Sequence, residues 1–169
     1  MSAQSYQEEP APTSRRLARD LVAPRSIRAL VVALAGLIVV LLVLPVVMTA
    51  DRDFTGDSIL RKDPSMTPSE LEVGITVVLA YTWAIHLAYA AVATWLVLKC
   101  LKGRRWARIA LTVLMVIASL NSLSSAAAGS EYYWAVIAGD VIHVAVVVLL
   151  WLPKSSRDFF ATHRTVKKT

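Results

Sequence analysis

Four stretches of this chain, 27–48, 73–101, 106–123 and 134–152, are apolar for about as long as a helix needs to cross a bilayer, roughly 20 residues at about 1.5 Å each. Hydrophobic residues make up 56% of the sequence, against roughly 45–50% in soluble domains, and the charges are confined to a few segments. Apolar surface on that scale must face something other than water. The expected fold class is therefore all-α: a polytopic membrane protein with four transmembrane helices in an antiparallel bundle. The bundle, 27–152, lies between an N-terminal tail, 1–26, and a basic C-terminal tail, 153–169.

The first stretch has too long an apolar core, and too long a polar head before it, for a cleaved secretion signal, and Met48-Thr49-Ala50 is a poor cleavage site. It reads as a retained span. The single cysteine, Cys100, beside Lys99, allows no intramolecular disulfide and reads as an interfacial packing residue.

The charges give an orientation. Arg15, Arg16, Arg19, Arg25 and Arg28 precede the first span; Lys99, Lys102, Arg104, Arg105 and Arg108 sit between the second and third; Lys154, Arg157, Arg164, Lys167 and Lys168 follow the fourth. On a four-span path these clusters share one side. The outer segment 49–72 instead carries Asp51, Asp53, Asp57, Asp63, Glu70 and Glu72 against Arg52, Arg61 and Lys62. The positive-inside bias then places both termini in the cytoplasm of a cell whose plasma (inner) membrane holds the chain. The net charge of +6 is spread over juxtamembrane segments with no nucleic-acid motif beside it, so the expected partners are the lipid bilayer and its anionic headgroups, not nucleic acid. Trp95, Trp106 and Trp151 mark one aromatic belt, and Tyr132, Tyr133 and Trp134 the other.

Between the spans the local signals are clear in places. Residues 1–13 are polar, proline-containing and without periodicity, which points to disorder. The next segment sets Leu17, Leu21 and Val22 among arginines and reads either as a short interfacial helix ended by Pro24 or as a solvated basic tail. Pro45 is expected to kink or loosen the end of the first span. Asp51, Asp53, Thr55 and Gly56 resemble the opening of a calcium loop, but Lys62 stands where a bidentate glutamate is needed, so a turn-rich acidic loop is expected instead. Thr67-Pro68-Ser69-Glu70 is a capping box, which starts the second helix near Pro68 and carries it to about Leu101. Phe159 and Phe160 read as an interfacial anchor or as part of a short cytoplasmic helix.

Polar residues inside the spans are the candidate functional groups. Asp140 lies eight residues after Tyr132 and eleven before Trp151, about 12 and 16 Å from the two belts, too deep to reach either surface. His143 is its neighbour on the same helical face. Thr82, His86 and Tyr89 form a polar stripe on the second helix that is able to face the pair, and the third helix brings Ser119, Asn121 and Ser122 near its outer end. The candidate cluster is Asp140, His143, His86, Thr82, Tyr89 and Asn121. It has two readings: a hydrogen-bond clasp that fixes helix register, helped by close approach at Ala135 and Gly139, or a protonation or small polar-ligand site. A haem between His86 and His143 meets depths that differ by about 8 Å, and no further acid or cysteine completes a metal shell, so no cofactor or metal is expected. Nucleophile, phosphate-loop and zinc-protease motifs are absent from the sequence.

The segments "GRRWARIALTVL" and "VVVLLWLPKSSRDFF" resemble small four-helix integral membrane proteins of actinobacteria. The resemblance covers roughly the last 70 residues. It implies a bacterial plasma membrane and a hairpin of the third and fourth helices, and carries no catalytic residue to any position. The functional expectation is a non-enzymatic accessory or interaction subunit that partners another membrane protein or itself. A proton-coupled or polar-solute carrier using the Asp140 cluster is the alternative, and a membrane enzyme or redox-cofactor protein the third reading.

Overall fold

The computed structural model describes residues 24–165. The segment around Leu17, Leu21 and Val22 lies outside them. Among the described residues there are six α-helices, a short 3-10 turn and no strand.

Helix α1, Arg25–Ala50, buries Ile27, Leu30, Leu34, Leu37, Leu41, Pro45 and Met48. Those positions recur every three or four residues, which keeps them on one face of a 3.6-residue helix. The helix continues through Pro45, and Thr49 Oγ1 donates to the Pro45 carbonyl at 2.6 Å.

The acidic segment 49–72 is more ordered than a turn-rich loop. Helix α2, Arg52–Leu60, forms within it, with the Asp51 side chain accepting from the Phe54 N–H and Asp53 in the first turn. Both features favour a helix N-terminus, by capping a free N–H and by meeting the helix dipole. Two of the four would-be calcium positions are used for packing. Thr55 and Gly56 are buried, and a Cβ on Gly56 would lie 3.3 Å from Ile75 Cδ1. Phe54 meets Tyr132 edge to face at 5.4 Å, so Tyr132 belongs to a small apolar cluster under α2 and not to an exposed belt.

Helix α3, Pro68–Leu101, runs for 34 residues from the capping box, with Thr67 and Glu70 bonding reciprocally and Pro68 in the first turn. Helix α4, Arg105–Ala128, extends past the expected end at 123. A 3-10 turn, Ser130–Tyr132, leads into α5, Tyr133–Trp151. Helices α1, α3, α4 and α5 are each long and apolar enough to cross a membrane.

Both α1 and α4 pack against α3 and α5, so α1 and α4 face each other diagonally across the bundle, as do α3 and α5. Leucines of α1, Leu96, Val97 and Cys100 of α3, Leu111 and Met115 of α4, and Val146 and Leu150 of α5 share one core. Helix α6, Lys154–Thr165, closes the basic end. Phe159 and Phe160 are buried in the main core, not offered outward as an anchor. Ser26 Oγ lies 3.0 Å from Ser155 Oγ and accepts from Ser156 Oγ at 2.8 Å, so the starts of α1 and α6 meet at the same end of the bundle.

Candidate functional site

The bundle centre holds an imidazole engaged from three helices. His143, on α5, is buried. Its Nδ1 lies 3.2 Å from Asp140 Oδ1, one turn away, and 3.0 Å from Ser119 Oγ of α4. Its Nε2 lies 2.9 Å from Tyr89 Oη of α3, which is also 3.7 Å from Met115 Sδ of α4. Ser122 Oγ sits 2.9 and 3.1 Å from the two Asp140 oxygens and 2.8 Å from the Ser119 carbonyl, so one hydroxyl ties carboxylate and α4 backbone together.

These contacts support two hydrogen-bond assignments around His143, in both of which Ser119 Oγ and Asp140 Oδ1 share the single Nδ1–H as acceptors. With neutral His143, Nδ1–H donates to Asp140 and the Tyr89 hydroxyl donates to Nε2. With an added proton, both ring N–H groups donate, Tyr89 Oη becomes an acceptor, and its own proton turns to Met115 Sδ. No heavy atom has to move between the two.

Of the stripe on α3, only Tyr89 reaches the pair. Tyr89 lies ten residues, about 15 Å, before Lys99, and His143 eight residues, about 12 Å, before Trp151, so the two are nearly level. His86 is one turn further toward the acidic end. Its Nδ1–H donates to the Thr82 carbonyl at 2.7 Å, a bond within its own helix, and Thr82 is buried away from the cluster. Asn121 is exposed and makes no contact in the network, because it lies two positions from Ser119, about 200° around α4. Of the three polar residues near the outer end of α4, Ser119 and Ser122 enter the network and Asn121 does not. Met115 gave no sequence signal beyond an apolar position.

Beside the network is a cavity of about 470 Å³. It is lined by Leu37, Leu41 and Leu44 of α1, by Tyr81 and Ile85 of α3, and by Ile117 and Asn121 of α4. His86, Tyr89, Ser122 and His143 are also among its lining residues. Gly139 also lines it, and a Cβ there would meet nothing within 4 Å, so this glycine does not bring two helices together as expected. At Gly36 an added Cβ would lie 3.7 Å from Ile142 Cδ1, an ordinary van der Waals contact.

Among the described residues, no three His, Cys, Asp or Glu side chains group as a metal site. Two histidines facing one iron would have to give up the bonds of His143 to Tyr89 and Asp140. No family model, curated protein or solved structure matches the chain.

Proposed function

We propose that this chain is a multi-pass, non-enzymatic component of a plasma membrane, oriented with its basic end and both tails in the cytoplasm, and that it acts by pairing with another membrane protein or with a second copy of itself. The carrying observation is that the groups of the polar centre are hydrogen-bonded to one another from helix to helix. Both ring nitrogens of His143, both oxygens of Asp140 and the Tyr89 hydroxyl have partners inside the bundle, on α3, α4 and α5. A buried polar group in hydrocarbon is costly unless satisfied, and satisfied across helices it fixes their register. That is the behaviour of a clasp.

Orientation follows from the lysines and arginines, which gather at the end where α1 and α6 start and where α3 turns into α4. The outward face of α4, with Val113, Val116, Ile117, Leu120 and Leu123 exposed, supplies apolar surface for lipid or a partner helix. The resemblance of 103–114 and 146–160 to actinobacterial four-helix membrane proteins supports the bacterial plasma membrane.

The cavity favours a second reading, a carrier in which His143 takes up a proton from a polar solute pathway. Asp140→Asn distinguishes the two. The clasp predicts lower accumulation and a thermal midpoint reduced by the equivalent of about 1–2 kcal/mol, with no proton flux in proteoliposomes for either protein. Unchanged stability with loss of a wild-type proton flux selects the carrier.

A further inference from the structure

We propose that Arg108 and its surroundings form a binding site for the phosphate group of an anionic ligand at the basic end of the bundle. The chemistry is shared by the headgroup of an anionic phospholipid and by soluble phosphate, and the membrane reading above bears only on the first of these.

Arg108 lies in the first turn of α4, yet it is only 7% exposed. Its guanidinium carbon is 3.7 Å from the centre of the Trp151 ring and 5.1 Å from that of Phe160. The indole is fastened in place: Trp151 Nε1–H donates to Thr112 Oγ1 at 2.9 Å, and the Thr112 hydroxyl donates to the Arg108 carbonyl at 3.0 Å. Phe160 is buried by the packing of α6. Residues of three helices thus build an aromatic seat for one cation.

The seat lacks an opposite charge. Among the described residues no carboxylate pairs with Arg108, and the charged arginines acting on it, Arg105 and Arg157, carry the same sign. Nε is enclosed and without a hydrogen-bond partner. Taking a charge out of water with nothing opposite beside it is strongly unfavourable, and aromatic faces compensate only in part. The terminal nitrogens are left as the edge an anion can reach. A stacked guanidinium flanked by two exposed arginines suits an anion with several oxygens and one or more charges, because the planar fork presents paired N–H donors to them. Trp151, and the Trp95 and Trp106 rings in contact at 5.2 Å, mark the level at which headgroups lie in the membrane reading.

The test is thermal unfolding of the purified full-length chain in neutral detergent micelles, titrated separately with phosphatidylglycerol, phosphatidylcholine and inorganic phosphate. Wild type, Arg108→Gln, the exposed pair Arg105→Gln with Arg157→Gln, and the distant control Lys62→Gln are compared. The lipid source predicts stabilisation by phosphatidylglycerol and not by phosphatidylcholine. The half-saturating concentration then rises about tenfold in Arg108→Gln and several-fold in the exposed pair, and is unchanged in Lys62→Gln. Stabilisation by inorganic phosphate alone, with the same loss in the variants, assigns the site to a soluble anion. Titrations that are the same in wild type and the arginine variants overturn the proposal, as does an absence of response to any of the three probes. If Arg108→Gln does not accumulate, the exposed pair, whose side chains take no part in the core, decides alone.

Discussion

His143 makes three side-chain contacts that no apolar residue reproduces, and each reaches a different element or turn. Truncating it leaves Tyr89, Ser119 and Asp140 without that partner. His143→Ala is predicted to lower stability by about 1–3 kcal/mol, Tyr89→Phe by about 0.6, with an upper bound near 1.7. A double-mutant cycle on reversible unfolding in detergent checks the pair. Coupling near zero would mean that the 2.9 Å contact does not hold α3 to α5. At the acidic end, Asp63 accepts from both the Ser65 N–H and the Ser65 hydroxyl, at 3.1 and 2.6 Å, and the side-chain bond, then the backbone bond, holds its carboxyl below the ordinary value of 3.8. Because the folded value is depressed, the turn gains stability above the unfolded carboxyl pKa and loses it as pH falls through the lower, folded value. Ser65→Ala should move the Asp63 titration, read by NMR, back upward; no movement would mean the hydroxyl contributes nothing. That Asp140 and His143 meet on one face of their helix was legible in the sequence from their spacing of three residues. Rotation about the helix axis was not, which is why Ser119 and Ser122, and not Asn121, face the imidazole. In lipid, the inward and outward faces of a span are equally apolar, and the contrast that reveals a buried face in water is missing.

At the scale of elements, start signals were the most legible. The capping box set the first turn of α3 at Pro68, since its residues act through local backbone bonds that need no tertiary context. Helix α2 carried comparable signals, Asp51 as cap and Asp53 in the first turn, yet acidic residues at alternate positions also opened a metal loop, and the density of charge argued for a loop. What decides for helix is tertiary: Gly56 lets α2 lie on α3. Gly56→Val would force side-chain atoms against Ile75 Cδ1, 3.3 Å from the first added carbon, and is predicted to cost about 1–3 kcal/mol. Limited proteolysis within 52–66 should then accelerate; an unchanged rate would show that α2 is not seated on α3. In α6, Phe159 and Phe160 beside basic residues gave an amphipathic pattern whose apolar side was readable. What it covers was not, since the same pattern serves a membrane surface or a bundle end.

For the molecule as a whole, alternation of charge along the chain and alternation of direction in the bundle point to the same arrangement. The starts of α1 and α6 are tied by Ser26, Ser155 and Ser156, so the four long helices α1, α3, α4 and α5 bring the chain back to the end of the bundle at which it began. The chain turn from α3 to α4, carrying Lys102, Arg104 and Arg105, belongs to that same end, and the acidic segment with α2 to the other. No more than 28% of the most apolar window of any of the four long helices is buried inside the bundle, which fits lipid and leaves room for a partner. In water such a bundle would expose a continuous apolar belt, and its polar clasp could not offset that exposure. The measurement that tests this account most directly is cysteine accessibility in intact cells, in a Cys100→Ser background, with Lys62→Cys and Arg104→Cys made one at a time. A membrane-impermeant maleimide should label position 62 before lysis and position 104 only after it. Labelling of position 104 in intact cells, or of neither position until the membrane is dissolved, would contradict four crossings with the basic end inside.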